Sequence, residues 1–174
     1  HAGENENLLL VSLTLFVVGL GIKSALFPLH IWLPDAHTAA PGPSSAILSG
    51  LVLKAPAILL VKILYDVYGA ALLEGTVILP LLLGFGAAGM LAGSLLARVQ
   101  TDLKRMIAYS SVAQMGYIFF GVGLGNALGL LIAFYHCIAH GLTKSCLFLS
   151  ASSIIEQTGQ RDIRELRGVG KEMP

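Results

Sequence analysis

Gly21–Lys62, GIKSALFPLHIWLPDAHTAAPGPSSAILSGLVLKAPAILLVK, is the stretch whose reading decides the fold. Two apolar segments each carry one lysine, Lys23 and Lys54, and each lysine is followed by a proline, Pro28 and Pro56. An ammonium at the bilayer centre costs about 3 kcal/mol on insertion scales. A proline inside a helix frees the carbonyl four residues back, here those of Ser24 and Val52. A helix that accepts both is shaped around an internal polar path and is no simple anchor. Pro28, Pro34, Pro41 and Pro43 crowd the connection between the segments, and His30, Trp32, Asp35 and His37 place polar and amphipathic groups where the first segment leaves the hydrocarbon. The connection reads as a short ordered cap, with His30, Pro34, Asp35 and His37 as its structural residues. The surrounding prolines favour that reading over a metal site.

Composition sets the class. Of 174 residues, 55% are hydrophobic and 12% charged, with a mean hydropathy of +0.78. A soluble domain carries about a quarter charged residues. The chain therefore reads as an all-α integral membrane protein whose first partner is the lipid bilayer. Its formal net charge is +1, and the basic residues are scattered over loops without forming a patch, which excludes a nucleic-acid partner. Cys137 and Cys146 lie in one apolar segment without a CxxC spacing, so both are expected as buried reduced thiols. The chain opens at His1 without methionine or a basic leader, and reads as a piece of a longer protein with no cleavable signal.

About five transmembrane helices are expected, since a span needs about 20 apolar residues. After a polar end at 1–7, a transmembrane domain over 8–155 divides into spans near 8–33, 45–64, 76–97, 103–123 and 127–155, with a basic tail at 156–174. Gly21, Lys23 and Pro28 predict that the first span is discontinuous between Lys23 and Leu29. The third span carries Gly89 and Gly93, a GxxxG suited to close helix contact. Gly84–Gly89 also matches GxGxxG, but no strand precedes it and no acidic residue follows at the spacing a dinucleotide site needs. Thr101 and Asp102 cap the fourth span, Lys104 and Arg105 lie at its interface, and Gly125 and Asn126 make the turn into the fifth. Arg98, Lys104, Arg105, Arg161, Arg164, Arg167 and Lys171 share one side, whereas Lys62 stands alone on the other. This asymmetry places the cap and the tail in the cytoplasm and His1 outside.

Ionisable residues inside the spans carry the functional reading. Lys54 lies roughly 12 Å from either interface at 1.5 Å per residue, beyond the reach of a snorkelling stem. Lys23 is read as deep as well. His136, His140 and Lys144 recur every four residues and so share one helix face in steps of roughly 6 Å, a spacing that one water closes. Three ionisable groups on one stripe favour a proton path. A zinc site is disfavoured, because Cys137 points elsewhere, no carboxylate lies near and Lys144 would repel the cation. Every acidic residue lies at or beyond a span end, so the buried lysines are expected to find their counter-charge on helices outside this piece.

KSALFPLHIWLPDAHTAAPGPSSAILSGLVLK, TDLKRMIAYSSVAQMGYIFFG and FYHCIAHGLTKSCLFLSASSI resemble the central domain of a family of antiporter-like membrane subunits. The family comprises those of respiratory complex I, an NADH:quinone oxidoreductase, of Mrp-type sodium/proton antiporters and of membrane-bound hydrogenases. The resemblance implies a bundle of about 14 helices with two inverted five-helix repeats, each with one discontinuous helix, a layout common among transporters. By the same resemblance, Lys23 matches the lysine of the first broken helix, which responds to a glutamate on an earlier helix. Lys54 matches the lysine of the connecting helix, His136 and His140 the histidines of the central axis, Lys144 the lysine beside them, and Asp35 with His37 the PDAH cap. It further implies translocation of protons, or exchange of protons for sodium, with the remaining helices of the parent chain and other membrane subunits as partners. No catalytic residue, cofactor or metal is expected in this chain, and the sequence shows no motif for a flavin, an iron–sulfur cluster or a quinone. The alternatives are a non-conducting structural subunit of the same complex and a transporter of organic solutes, the latter disfavoured by polar groups that are mostly basic.

Overall fold

The computed structural model describes residues 2–172, with side chains over 7–171. His1, Met173 and Pro174, at the ends of the polar segment and the tail read above, lie outside the described residues. Eight helices follow in order: α1 Ala2–Lys23, α2 Trp32–Ala39, α3 Gly42–Tyr68, α4 Ala70–Glu74, α5 Ile78–Arg98, α6 Leu103–Gly123, α7 Ala127–Thr158 and α8 Val169–Glu172. Among the described residues there is no strand beyond an isolated antiparallel bridge between Asp102 and Asp162. Helices α3, α5 and α7 are long and apolar enough to cross a membrane, and Asn7–Lys23 is a shorter apolar helix.

The first span is interrupted, as its glycine, lysine and proline spacing requires. Helix α1 stops at Lys23, and the backbone and hydroxyl of Ser24 both bond the Leu20 carbonyl, at 2.9 and 2.6 Å. Ala25 then takes φ +55°, a left-handed value that turns the chain out of the helical path. Residues 8–33 are therefore not one helix: α2 starts separately at Trp32, whose indole N–H donates to the Ile22 carbonyl at 2.9 Å and ties the cap back to the end of α1.

Helix α3 opens on Pro41 and Pro43, where a missing N–H has no helical acceptor to lose, and runs beyond the expected 45–64. It widens twice, over Leu48–Val52 and Ile63–Tyr68, where N–H groups reach five residues back. Leu53 N–H bonds the Leu48 carbonyl at 3.2 Å, and Gly69 N–H bonds that of Leu64 at 3.0 Å before Gly69 ends the helix at φ +81°.

The bundle centres on α6, which packs along α5, against α7 and beneath α2. Its buried residues, among them Ile107, Ser111, Met115, Ile118, Phe119 and Val122, face several neighbours, so it is enclosed by protein rather than by lipid. Helix α5 meets it through glycines: a Cβ on Gly86 would stand 2.5 Å from the Phe120 nitrogen and 2.8 Å from the Gly116 oxygen. The outer surface is apolar, with Leu8, Leu15, Leu91, Leu128, Leu131 and Leu142 mostly exposed, as a lipid-facing surface requires. Cys146 corrects the expectation of two buried thiols. Cys137 is buried but Cys146 is exposed, because nine residues are two and a half turns and turn the two side chains to opposite faces of α7.

One end of the bundle is tied together by hydrogen bonds. The Lys104 ammonium donates to the Ala40 carbonyl at 3.0 Å, Arg105 pairs with Asp35 at 3.5 Å and Arg161 donates to the Thr38 carbonyl at 3.3 Å. The tail joins them, since Leu103 N–H bonds the Arg161 carbonyl at 3.0 Å and Ile163 N–H that of Thr101 at 2.9 Å. Beyond it, the Arg164 side chain, hydrogen-bonded to Asp162, holds that carboxyl down at about 2. Asp102 caps α6 as the sequence predicts, accepting from Arg105 N–H at 2.8 Å. Asp102→Ala is expected to destabilise the purified parent subunit by about 1 kcal/mol, read as a lower unfolding temperature, with Asp102→Asn close to the parent.

Candidate functional site

Three helices, α3, α6 and α7, enclose a polar interior built from basic and hydroxyl side chains. Lys54 and Lys144 are each 4% exposed and His140 is 2% exposed. The widened turn of α3 explains how Lys54 is held. Because Leu53 N–H bonds the Leu48 carbonyl, the Ser49 carbonyl is left to the Lys54 ammonium, which hydrogen-bonds it. Such one-turn widenings recur at functional sites because they free backbone groups. Lys144 donates to the Ile107 carbonyl on α6 at 3.1 Å and to the Ser110 hydroxyl. Between the two lysines, Ser49 Oγ and Ser111 Oγ lie 3.1 Å apart, and Ser111 Oγ also donates to the Ile107 carbonyl at 3.1 Å. Among the described residues, neither Lys54 nor Lys144 has a carboxylate partner.

The stripe on α7 has the expected geometry. His136 and His140 stack with ring centroids 6.1 Å apart and planes 13° off parallel, and Tyr117 of α6 lies 5.5 Å from the His136 ring. His140 Nδ1 and Nε2 and His136 Nε2 are buried without a protein partner. A buried imidazole cannot leave two nitrogens unsatisfied cheaply, so these are positions that accept water or a proton donor. A groove of about 400 Å³ opens between α3 and α7 beside Lys54, its walls including Ile47, Leu51, Phe134, Cys137 and Ser145.

The remaining sequence candidates are placed differently. Lys23, read as deep, is exposed at the end of α1, because the chain turns away immediately after it. Pro28 lies exposed in the break, and Pro56, in the first turn of the segment that follows the widened turn, is half-buried. Asp35 is exposed and engaged with Arg105, so it holds the cap and no buried lysine. Pro34 is buried within α2, and His30 is buried in the break against Phe27, with centroids 5.3 Å apart.

Three features escape the sequence reading. His37 is more than a cap residue: it is fully buried, stacks on Phe148 at 4.2 Å, one turn beyond Lys144, and both its ring nitrogens lack a protein partner. Lys104, expected at the end of its span, is also buried in the protein, where it bonds the cap. Ser49, Ser110 and Ser111 join the lysines, and a small hydroxyl residue in an apolar helix gives no local sign of which neighbour it will meet.

A helical membrane bundle with a broken first span and a buried lysine and histidine interior defines the class of antiporter-like membrane subunits. The family described as NADH:quinone oxidoreductase/Mrp antiporter, TM, matches residues 1–174, and the chain belongs to that family. It is similar to NADH-quinone oxidoreductase subunit N of Desulforudis audaxviator, with 46% identity over 167 residues, covering 95% of this chain and 33% of the relative. It is also similar to a hydrogenase-4 component F homolog of Methylacidiphilum infernorum, with 39% identity over 172 residues, covering 98% and 35%. Among solved structures, the membrane-bound sulfane sulfur reductase, an archaeal respiratory membrane complex, superposes with a TM-score of 0.83 at 34% identity over 94% of this chain and 33% of that one. The chain thus spans about a third of the length of these proteins.

Proposed function

We propose that this chain is the central part of an antiporter-like subunit that carries protons, or exchanges protons for sodium, across a prokaryotic cell membrane. Lys23, Lys54, His136, His140 and Lys144 are its protonatable groups, and the reaction is a change of protonation with no covalent step. The observation that carries this reading is the burial of Lys54, His140 and Lys144 in one interior, anchored by carbonyls and hydroxyls and unpaired with carboxylates among the described residues. A fixed structural cation in such a place would need a permanent counter-charge, whereas a lysine held by neutral acceptors can pass its proton on. Water at the unpartnered ring nitrogens of His136, His140 and His37 extends the path along α7 and toward the cap. The spans lie within residues 8–155 and the tail at 156–174 is cytoplasmic. The missing acidic partner belongs to other helices of the parent chain and, as the family resemblance implies, answers to Lys23. Other membrane subunits of a multisubunit complex adjoin the bundle, as the names of its relatives suggest for them.

The decisive experiment is Lys54→Met in the intact parent complex. Transport should be lost while the complex assembles, and full transport in that variant would return the chain to a non-conducting structural role. The orientation rests on the basic residues gathered at the cap end. With Cys137 and Cys146 replaced by serine, a cysteine at exposed Ala39 should react only with reagent on the cytoplasmic face, and one at exposed Ala71 only with external reagent. The reverse pattern would overturn the topology.

A further inference from the structure

Deepening that reading, and resting on it, we infer that Ser49 and Ser111 are positioning residues that couple Lys54 to Lys144 through a direct hydroxyl pair between α3 and α6. Each end of the pair carries a lysine anchor. The Lys54 ammonium bonds the Ser49 carbonyl, and the Lys144 ammonium bonds the Ile107 carbonyl at 3.1 Å, to which Ser111 Oγ also donates at 3.1 Å. A serine has one hydroxyl proton. The two hydroxyls lie 3.1 Å apart, so one donates to the other across the α3–α6 contact. The Ile107 carbonyl is a shared anchor, reached by Ser110 Oγ at 2.8 Å as well as by Ser111 Oγ and the Lys144 ammonium. The two lysine anchors are thus joined through the covalent frame of Ser49 and the hydroxyl pair, by protein atoms alone, and both serines are 0% exposed.

The geometry distinguishes this pair from ordinary helical serines. A serine that bonds only the carbonyl one turn back satisfies its own hydroxyl and touches nothing else, as Ser94 does with Met90 at 2.7 Å. Ser111 makes that bond and also shares one with a residue 62 positions away, on the widened turn that presents the Lys54 anchor. The hydroxyl pair therefore fixes the separation of two like charges in a low-dielectric interior, where their repulsion depends steeply on distance. Losing either hydroxyl loosens the spacing of the two anchors, and the proton affinity of one lysine then follows the charge on the other less closely.

The test is proton translocation by the intact parent complex in reconstituted vesicles, with assembly followed on native gels. Ser49→Ala and Ser111→Ala are each expected to lower the rate about fivefold, the size a buried neutral hydrogen bond supports, without loss of assembly. Because the hydroxyls act as one bond, the Ser49→Ala/Ser111→Ala double variant should lose no more than either single variant. Ser49→Thr, which keeps the hydroxyl, should restore at least about half of the rate. Parental rates in either alanine variant, single losses that multiply in the double variant, or a threonine that restores nothing would each overturn the inference, the last by assigning the loss to packing. Lys54→Met measured alongside separates the two levels. If it transports normally, the proposed function fails and this inference with it. If it is inactive while the serine variants are normal, the inference alone fails.

Discussion

Lys54→Arg in the intact parent complex should assemble normally and translocate protons about tenfold or more slowly than the parent, nearly as poorly as Lys54→Met. The arginine variant is the more informative, because it keeps the charge and a hydrogen-bond donor for the Ser49 carbonyl. A buried ammonium can release its proton within a working cycle, whereas a guanidinium in effect never does. Lys54 has the geometry for release. It is 4% exposed, is held by a neutral carbonyl, and shares its interior with Lys144 and His140 without a carboxylate among the described residues to fix its charge. A normal rate in Lys54→Arg would make the residue a fixed charge and remove it from the path.

Gly86→Val is expected to destabilise the subunit by about 3 kcal/mol and to reduce assembled complex sharply, whereas Gly84→Ala should stay within about 0.5 kcal/mol of the parent. The contrast follows from what each new side chain meets. At Gly86 the first added carbon would lie 2.5 Å from the Phe120 nitrogen and 2.8 Å from its Cα, and backbone cannot rotate away as a side chain can. Helices α5 and α6 would have to separate, and since lipid is as apolar as leucine, close contact is what holds them together. At Gly84 nothing lies within 4 Å. Thermal unfolding of the two purified variants measures the difference, and equal midpoints would show that the glycine contact does not hold these helices together.

How much is legible in the sequence alone depends on the range of the signal. The break after Lys23 was announced locally by Gly21, Lys23 and Pro28, and the cap at Asp102 by residue type alone, whereas Asn126, read as part of a turn, also caps α7. The rows of His136, His140 and Lys144 followed from the helical repeat. The same repeat also turns Cys146 away from Cys137, yet composition had suggested that both were buried. Exposure of Lys23 was not legible, because it depends on where the chain goes after the break. Burial of His37 against Phe148, and of Lys104 beneath the cap, needed elements far apart in sequence to meet.

The sequence by itself determined the class, the broken first span, and the fact that lysines and histidines lie within apolar helices. Each of these follows from hydrophobic length, helical period or proline chemistry, all readable within about 20 residues. Only the tertiary structure decided which helix faces meet: that Ser49 finds Ser111, that the Ile107 carbonyl serves Lys144, and that His37 joins the interior. Those pairings depend on the rotation and approach of whole helices. These are set by glycine contacts between backbones and by a five-residue turn in α3, and no local run of residues encodes them.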